Sequence, residues 1–375
     1  MVPAIAPVIG RRLLLALLAL AACAPDAAMA QTGPRLTVPP GFAIDVFADG
    51  VGSVRLMALD PAGTLLVSEP AQGRVIALPD KNGDAKADAV LTVVDGLDQP
   101  HGLAFKDGAL YVAETGRVLR FRYDPTAMKA SDRTVVVPSL PRGEQHWTRT
   151  VVFGPDGHMY VSVGSSCNVC RERDKRRAAV VRYNADGSGE KIFATGLRNA
   201  VGLAFHPTAG VLWATVNERD WRGDDVPSEY VTEVREGAFY GWPDCMAVGG
   251  ELKPDTRFDR NARCEGVTRA TREIQAHSAP IGITFYTGTQ FPADYRGSAF
   301  VAYRGSWNRT VPTGYKVVVV RFRDGKPTTV EDFVTGWLQG ASSWGRPVDV
   351  IVGRDGALYV SDQGAGRIYR ISHRS

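Results

Sequence analysis

The sequence predicts an all-β chain folded as a six-bladed β-propeller of antiparallel four-stranded blades. Three observations carry this. One phrase recurs six times: an apolar strand, a Pro/Asp/Gly turn, a second strand, a polar break and a third strand. Apolar residues within each copy alternate with a period of two, as in strands with one face buried. No long segment carries a 3.6-residue apolar stripe. Copies spaced about 45 to 80 residues apart fit propeller blades, each burying its face against its neighbours. A β-sandwich is the alternative all-β architecture, but it gives no reason for six copies of one phrase.

In chain order, the first copy reads VRLMALDPAGTLLVSE from residue 54, then GRVIAL. The second is HGLAFKDGALYVAE from residue 101, then GRVLRFR. The third is RTVVFGPDGHMYVSVG from residue 149, with AAVVRYN after an insertion. The fourth is VGLAFHPTAGVLWATV from residue 201, and the fifth is IGITFYTG from residue 281, with AFVAYRG and YKVVVVRF following. The sixth is VDVIVGRDGALYVSD from residue 348, then GRIYRI. The early strand FAIDVFA (residues 42–48) is expected to complete the last blade, because closing the ring hides sheet edges. Long insertions fall at 217–280 and 304–316, and loops on one propeller face are where sites sit.

The first thirty residues read as an export signal. Arg11 and Arg12 precede an apolar run from Leu13 to Ala22, too short for the ~20 residues that span a bilayer. Leu20-Ala21-Ala22-Cys23 resembles a lipobox that would leave Cys23 lipidated, whereas Ala28-Met29-Ala30 is an ordinary cleavage site. The twin arginine also allows a twin-arginine export route. Both cleavage sites stay open. Residues 37–375 are expected to form a single catalytic propeller in the periplasm or outside the cell. The membrane is met only through the Cys23 anchor, if that site is used.

Cys167, Cys170, Cys245 and Cys264 make an even set in an exported chain, so two disulfides are expected. Of three connectivities, proximity favours 167–170 and 245–264. A redox dithiol at CxxC would need a βαβ setting, and haem attachment would need histidine where Arg171 stands. The net charge is +4 with 22% charged residues, so nothing here calls for nucleic acid.

Just ahead of the inner strands, several copies carry a polar group. These are Arg55, Gln99 with His101, His146 with Arg149, Arg198 with Asn199, and Arg304 with Arg346. Arginines aimed into one channel repel each other unless an anion sits between them, and guanidinium forks pair well with carboxylates. A polycarboxylate is therefore the expected partner. DKNGDAKAD sets Asp80, Asn82, Asp84 and Asp88 at EF-hand-like spacing, with Ala85 in place of the glycine and Leu91 in place of the bidentate glutamate. A structural calcium site and a plain polar hairpin loop both fit.

The phrases GLDQPHGLAF, GEQHWTRTVVFGPDGHMYVSVGSS, FATGLRNAVGLAFHP, EGAFYGWP, RGSWNRT and WGRPVDVIVGRDGALYVSD occur in order from residue 96 onward. In these the chain resembles the quinoprotein sugar dehydrogenases that depend on pyrroloquinoline quinone (PQQ), closest in wording to the sorbosone dehydrogenase branch. The resemblance implies a six-bladed propeller with PQQ and calcium at the top of the channel, and oxidation of an aldose, sugar aldehyde or polyol. It implies that His146 is the general base, a role suited to an imidazole pKa. Arg198 and Asn199 match the pair beside the reactive carbonyl, where a cation stabilises developing negative charge. Arg346 matches a cofactor-carboxylate arginine. Arg304 stands where the soluble glucose enzymes have lysine; Arg55 and Gln99 follow from blade position. The segment NERDWRGDD matches the calcium-holding loop, so Glu218, Arg219 and Asp220 are expected to supply backbone oxygens.

The sequence also departs from that pattern. Gln145, with Glu144 before it, stands where the glucose enzymes put an acid ahead of the base. Val348 replaces a second arginine, and the aldose pocket is not recognisable. Trp147, Trp221, Trp307 and Trp344 are candidates to stack on quinone or sugar. Electrons are expected to leave to a separate acceptor, a cytochrome or a quinone, since no haem motif is present. The alternatives are a calcium-dependent lactonase-like propeller, which would need carboxylates and an asparagine on a central metal, and a non-catalytic binding propeller.

Overall fold

The computed structural model describes residues 1–4, 35–143 and 145–374. The two cleavage sites, Cys23 and Glu144 lie outside them. Among the described residues the regular structure is all strand, apart from single 3-10 turns at Pro70–Gln72 and Ala293–Tyr295. No helix there is long and apolar enough to cross a membrane.

Six four-stranded antiparallel sheets form the blades. Blade 1 is Met57–Leu59, Leu65–Glu69, Arg74–Leu78 and Leu91–Val94. Blade 2 is Gly102–Lys106, Ala109–Glu114, Arg117–Asp124 and Lys129–Val137. Blade 3 is Arg149–Phe153, Met159–Val163, Ala179–Tyr183 and Lys191–Thr195. Blade 4 is Asn199–Phe205, Leu212–Asn217, Glu229–Glu233 and Arg272–Ile274, with a separate hairpin, Cys245–Val248 and Glu251–Pro254, inside the long insertion. Blade 5 is Pro280–Phe285, Ala299–Tyr303, Lys316–Arg323 and Lys326–Val334. Blade 6 is Pro347–Val352, Leu358–Asp362 and Arg367–His373, completed by Phe42–Asp49 with Phe42 opposite His373. The ring therefore closes as the sequence predicts, with the early strand completing the last blade.

The inner strands meet closely around the axis. A Cβ on Gly202 would lie 2.1 Å from Ile281 O, and one on Gly282 would lie 2.0 Å from Asp349 Oδ1. The small residue in the recurring xGL and xGI phrases is thus what lets neighbouring blades approach. Second-strand hydroxyls bind across the blades: Ser68 Oγ to His101 O (2.8 Å), Thr215 Oγ1 to Ile281 O (2.6 Å) and Ser361 Oγ to Arg55 O (2.7 Å). Asp349 of blade 6 accepts from Met57 N of blade 1 at 2.8 Å, joining the first and last blades. Leu56, Val201, Ile281 and Val348, all buried, form an apolar plug across the channel. Val348, standing where the resemblance expects arginine, belongs to this plug.

Candidate active site

Val201 and Ile281 of the plug form the floor of a cavity of about 330 Å³, a volume within the range of small-molecule sites. Its walls come from blade tops and from the two long insertions.

His146 lines the cavity at the entry to blade 3. Its backbone is left-handed, with φ 49°, an uncommon conformation for a residue with a side chain. Arg149 holds that turn in place: its guanidinium donates to His146 O (2.8 Å), Thr148 O (2.7 Å) and Pro141 O. His146 Nδ1 lies 2.9 Å from both Ser165 O and Ser165 Oγ. A carbonyl only accepts, and Ser165 Oγ spends its own proton on Cys167 O at 2.7 Å. Nδ1 therefore carries the proton, and Nε2 is an unprotonated base. Burial, with Arg198 nearby, pulls the imidazole pKa down to about 3. The orienting group is thus a serine, while Gln145 is exposed. Gly164 makes room for this arrangement. A Cβ there would lie 2.4 Å from Asn199 Oδ1 and 2.6 Å from His146 Cβ.

Two arginines line the side of blades 1, 5 and 6. Gln363 Oε1 accepts from Arg55 Nη1 (3.2 Å) and Arg304 Nε (3.0 Å), so one amide ties the two cations together. Burial, with Arg304 beside it, pushes Arg55 down to about 9. Burial and Arg346 push Arg304 down. Among the described residues neither Arg55 nor Arg304 forms an ion pair. Arg346 stands behind Arg304, its guanidinium 5.1 Å from the Tyr315 ring centroid.

The blade 4 side is acidic. Glu218 and Glu229 are buried and line the cavity together with Asp220. Burial raises Glu218 to about 7 and drives Glu229 well above the usual carboxylate range. Glu229 accepts from Ala279 N at 2.7 Å. Arg198 lies among them with a protein acceptor for each of its five N–H groups: Asn168 O (3.0 Å), Asn168 Oδ1 (3.0 Å), Asn217 O (3.3 Å), Glu218 O (2.7 Å) and Asp220 Oδ2 (3.1 Å). Asn199 is 8% exposed, and among the described residues its Oδ1 has no hydrogen-bond partner.

The structure thus brings His146, Arg55, Arg198, Asn199, Arg304, Glu218 and Asp220 to one cavity. It does not bring the others there. Gln99 is exposed and bound to Thr115. His101 is fully buried behind Arg55, its Nε2 3.2 Å from Arg55 Nη2 and its Nδ1 facing Arg149 O. Arg149 turns back onto its own loop, and Arg346 stacks on Tyr315. The Arg219 side chain pairs with Asp255, away from the cavity, leaving only its backbone at the turn. Trp147 and Trp307 line the cavity, and Trp221, 67% exposed, packs edge-to-face on Trp307 at 5.1 Å. Trp344 instead donates to Gly336 O at 2.8 Å.

The EF-hand-like loop is a self-closed turn. Asp80 accepts from Gly83 N and Ala85 N, Asn82 from Asp84 N, Asp84 from Lys86 N, and Asp88 from Lys81 N. Its carboxylates do not gather; among the described residues the one group of three metal-ligating side chains is Cys167, Cys170 and Glu172. Those sulfurs are bonded to each other, as are Cys245 and Cys264. Sequence reasoning missed Ser165, Asn168, Glu229 and the cavity-lining His277, Asn308 and Gln363. Ser165 and Asn308 fall inside the quoted motif phrases and Asn168 inside CNVC, but nothing in their local sequence marks them as site residues.

A pyrroloquinoline quinone-dependent pyranose dehydrogenase of Coprinopsis cinerea is 26% identical over 409 residues, covering 91% of this chain and 55% of that protein. The chain therefore spans about half the length of that relative. A pyrroloquinoline quinone-dependent sugar dehydrogenase of Hypocrea jecorina is 25% identical over 403 residues, covering 90% of this chain and 89% of that one. Neither is named for sorbosone. A solved structure from the carbohydrate-active enzyme family AA12 of Trichoderma reesei shares the fold, with TM-score 0.81 at 23% identity, covering 92% of this chain and 98% of its own. A family model described as TrAA12-like matches residues 36–374, so the chain belongs to that family.

Proposed function

We propose that this chain is an exported quinoprotein dehydrogenase that oxidises an aldose, sugar aldehyde or polyol, with PQQ and calcium in the cavity described above. One observation carries the reading: a histidine with an unprotonated Nε2 shares a cavity with an arginine pair that forms no ion pair among the described residues. The family and the named activities of the relatives support it.

The residues suit both groups. The unpartnered Asn199 Oδ1, the Arg55–Arg304 pair and the carbonyl and carboxylate oxygens of Asn217, Glu218 and Asp220 offer charge and oxygen donors where a polycarboxylate and a hard cation need them. When bound, PQQ supplies a two-electron acceptor that calcium polarises as a Lewis acid. His146 Nε2 takes the proton of the sugar hydroxyl as the substrate loses hydride, while Ser165 holds Nδ1 protonated and the ring aimed. Arg55 and Arg304, with Arg346 behind them, hold cofactor carboxylates. Arg198 contributes its charge beside the reacting carbonyl, and its position is set by protein acceptors. The 218–220 turn holds calcium. His101, against Arg55, and Arg149, on the His146 turn, support the site from behind. A separate acceptor, a cytochrome or a quinone, takes the electrons.

Residues 1–30 are the export signal and 37–375 a single catalytic propeller; the two disulfides fit an oxidising compartment. The test is to add PQQ and calcium to purified cofactor-free protein and follow dye reduction across sugars and aldehydes. Turnover with at least one sugar is expected. No turnover, with no rise in unfolding temperature on adding PQQ, would overturn the reading.

A further inference from the structure

The CxxC bridge has no part in the chemistry proposed above, yet it lies directly beside the site. It closes the tetrapeptide Cys167-Asn168-Val169-Cys170. Asn168 inside it makes five hydrogen bonds to three distant segments. Its backbone oxygen accepts from Arg198 Nε (3.0 Å) and Trp242 Nε1 (3.2 Å). Its Oδ1 accepts from Arg198 Nη2 (3.0 Å) and Asp220 N (2.8 Å), and its Nδ2 donates to Asp220 O at 3.2 Å. The amide can sit only this way round, since a flip would set its NH₂ against two donors. A short closed loop has little freedom to follow a moving partner.

The geometry points to Asn168 as a positioning residue: presented by the Cys167–Cys170 staple, it fixes Arg198 and the 218–220 turn in a single arrangement. Two further contacts agree. Ser165 N donates to Arg198 O at 2.8 Å, and Ser165 Oγ binds Cys167 O, so the same tetrapeptide also supports the serine that orients His146. The side chain of Arg198 is 3% exposed, and Asn168 supplies two of its acceptors. Losing the Asn168 amide strips one Arg198 N–H and the Asp220 N–H of a partner, and buried groups left that way reorient toward new ones. The part of this that concerns the cofactor rests on the PQQ reading above.

Two measurements on the full chain test it, comparing wild type with Asn168→Ala and with Val169→Ala in the same loop. The first is phenylglyoxal modification of cofactor-free protein, mapped by mass spectrometry, with the fully buried Arg149 as the control for general unfolding. Arg198 is expected to react about tenfold faster in Asn168→Ala, with Arg149 unchanged and Val169→Ala like wild type. The second is PQQ affinity with calcium present, read by tryptophan fluorescence. Here Asn168→Ala is expected to bind roughly ten- to a hundredfold more weakly. Arg198 staying as protected in Asn168→Ala as in wild type, or becoming reactive only in step with Arg149, overturns the inference. If wild type fails to bind PQQ while Asn168→Ala still unmasks Arg198, the cofactor reading falls and the positioning role stands.

Discussion

The two walls of the cavity are built from opposite charge. On one side Arg55 and Arg304 share the Gln363 amide, and burial with a neighbouring arginine pushes each pKa down, with no carboxylate among the described residues bound to either. On the other, Arg198 is ringed by Glu218, Asp220 and Glu229, and the two glutamates are pushed toward their neutral forms. On the first wall no carboxylate among the described residues pairs with either cation; the second has acid to spare and carbonyl oxygens beside it. A protein seldom leaves buried charge unbalanced without a partner for it, and the two imbalances call for different partners. An anionic cofactor answers the first and a hard cation the second, with His146 between the walls.

Removing the base should have the largest effect. His146→Ala is expected to lower kcat by about 10²- to 10⁴-fold while PQQ affinity holds, measured by steady-state kinetics beside a fluorescence titration. Parallel loss of affinity would make the residue part of the binding wall. Arg304→Ala breaks the cationic wall and should weaken PQQ binding about 10- to 100-fold, with little change in calcium affinity. Chelating calcium should do the reverse, emptying the acidic wall and suppressing turnover until calcium is restored. Gly164→Ala crowds both His146 and Asn199 and should depress kcat more than it lowers the unfolding temperature.

The pH dependence follows from His146. Its folded pKa of about 3 lies below the ordinary histidine value. Between the two, the unfolded chain binds a proton that the folded protein refuses, so this group's contribution to stability falls as pH drops from about 6.5 to 3. The acid limb of kcat/KM for His146 should lie well below 6. Placed between the third and fourth strands of blade 1 and away from the cavity, the 80–88 loop should matter least. Asp84→Ala is expected to shift stability by less than about 0.5 kcal/mol, with or without calcium.

Much of the architecture was legible because a repeat is a property of the sequence itself. Six copies of one phrase gave the blades, FAIDVFA gave the closing strand, and proximity gave both disulfides. His146, Arg198 and Asn199 were legible from motif wording. The side chains around them were not, since they converge from segments far apart in the chain. Gln363 reaches Arg55 across 308 positions, and Asn168 reaches Asp220 across 52. Repeat position misled as well. Arg55, His101 and Arg149 occupy equivalent places in three blades, but only Arg55 lines the cavity. His101 is too short to pass it, and Arg149 is drawn back by three carbonyls of its own loop.

The most direct test of the two-wall account is a titration of cofactor-free protein with PQQ, with and without calcium, in wild type and in an Arg55→Ala/Arg304→Ala double variant that keeps its unfolding temperature. The account predicts saturable one-to-one binding in wild type that calcium tightens and the double variant loses. Equal affinity in the two proteins, or binding indifferent to calcium, would contradict it.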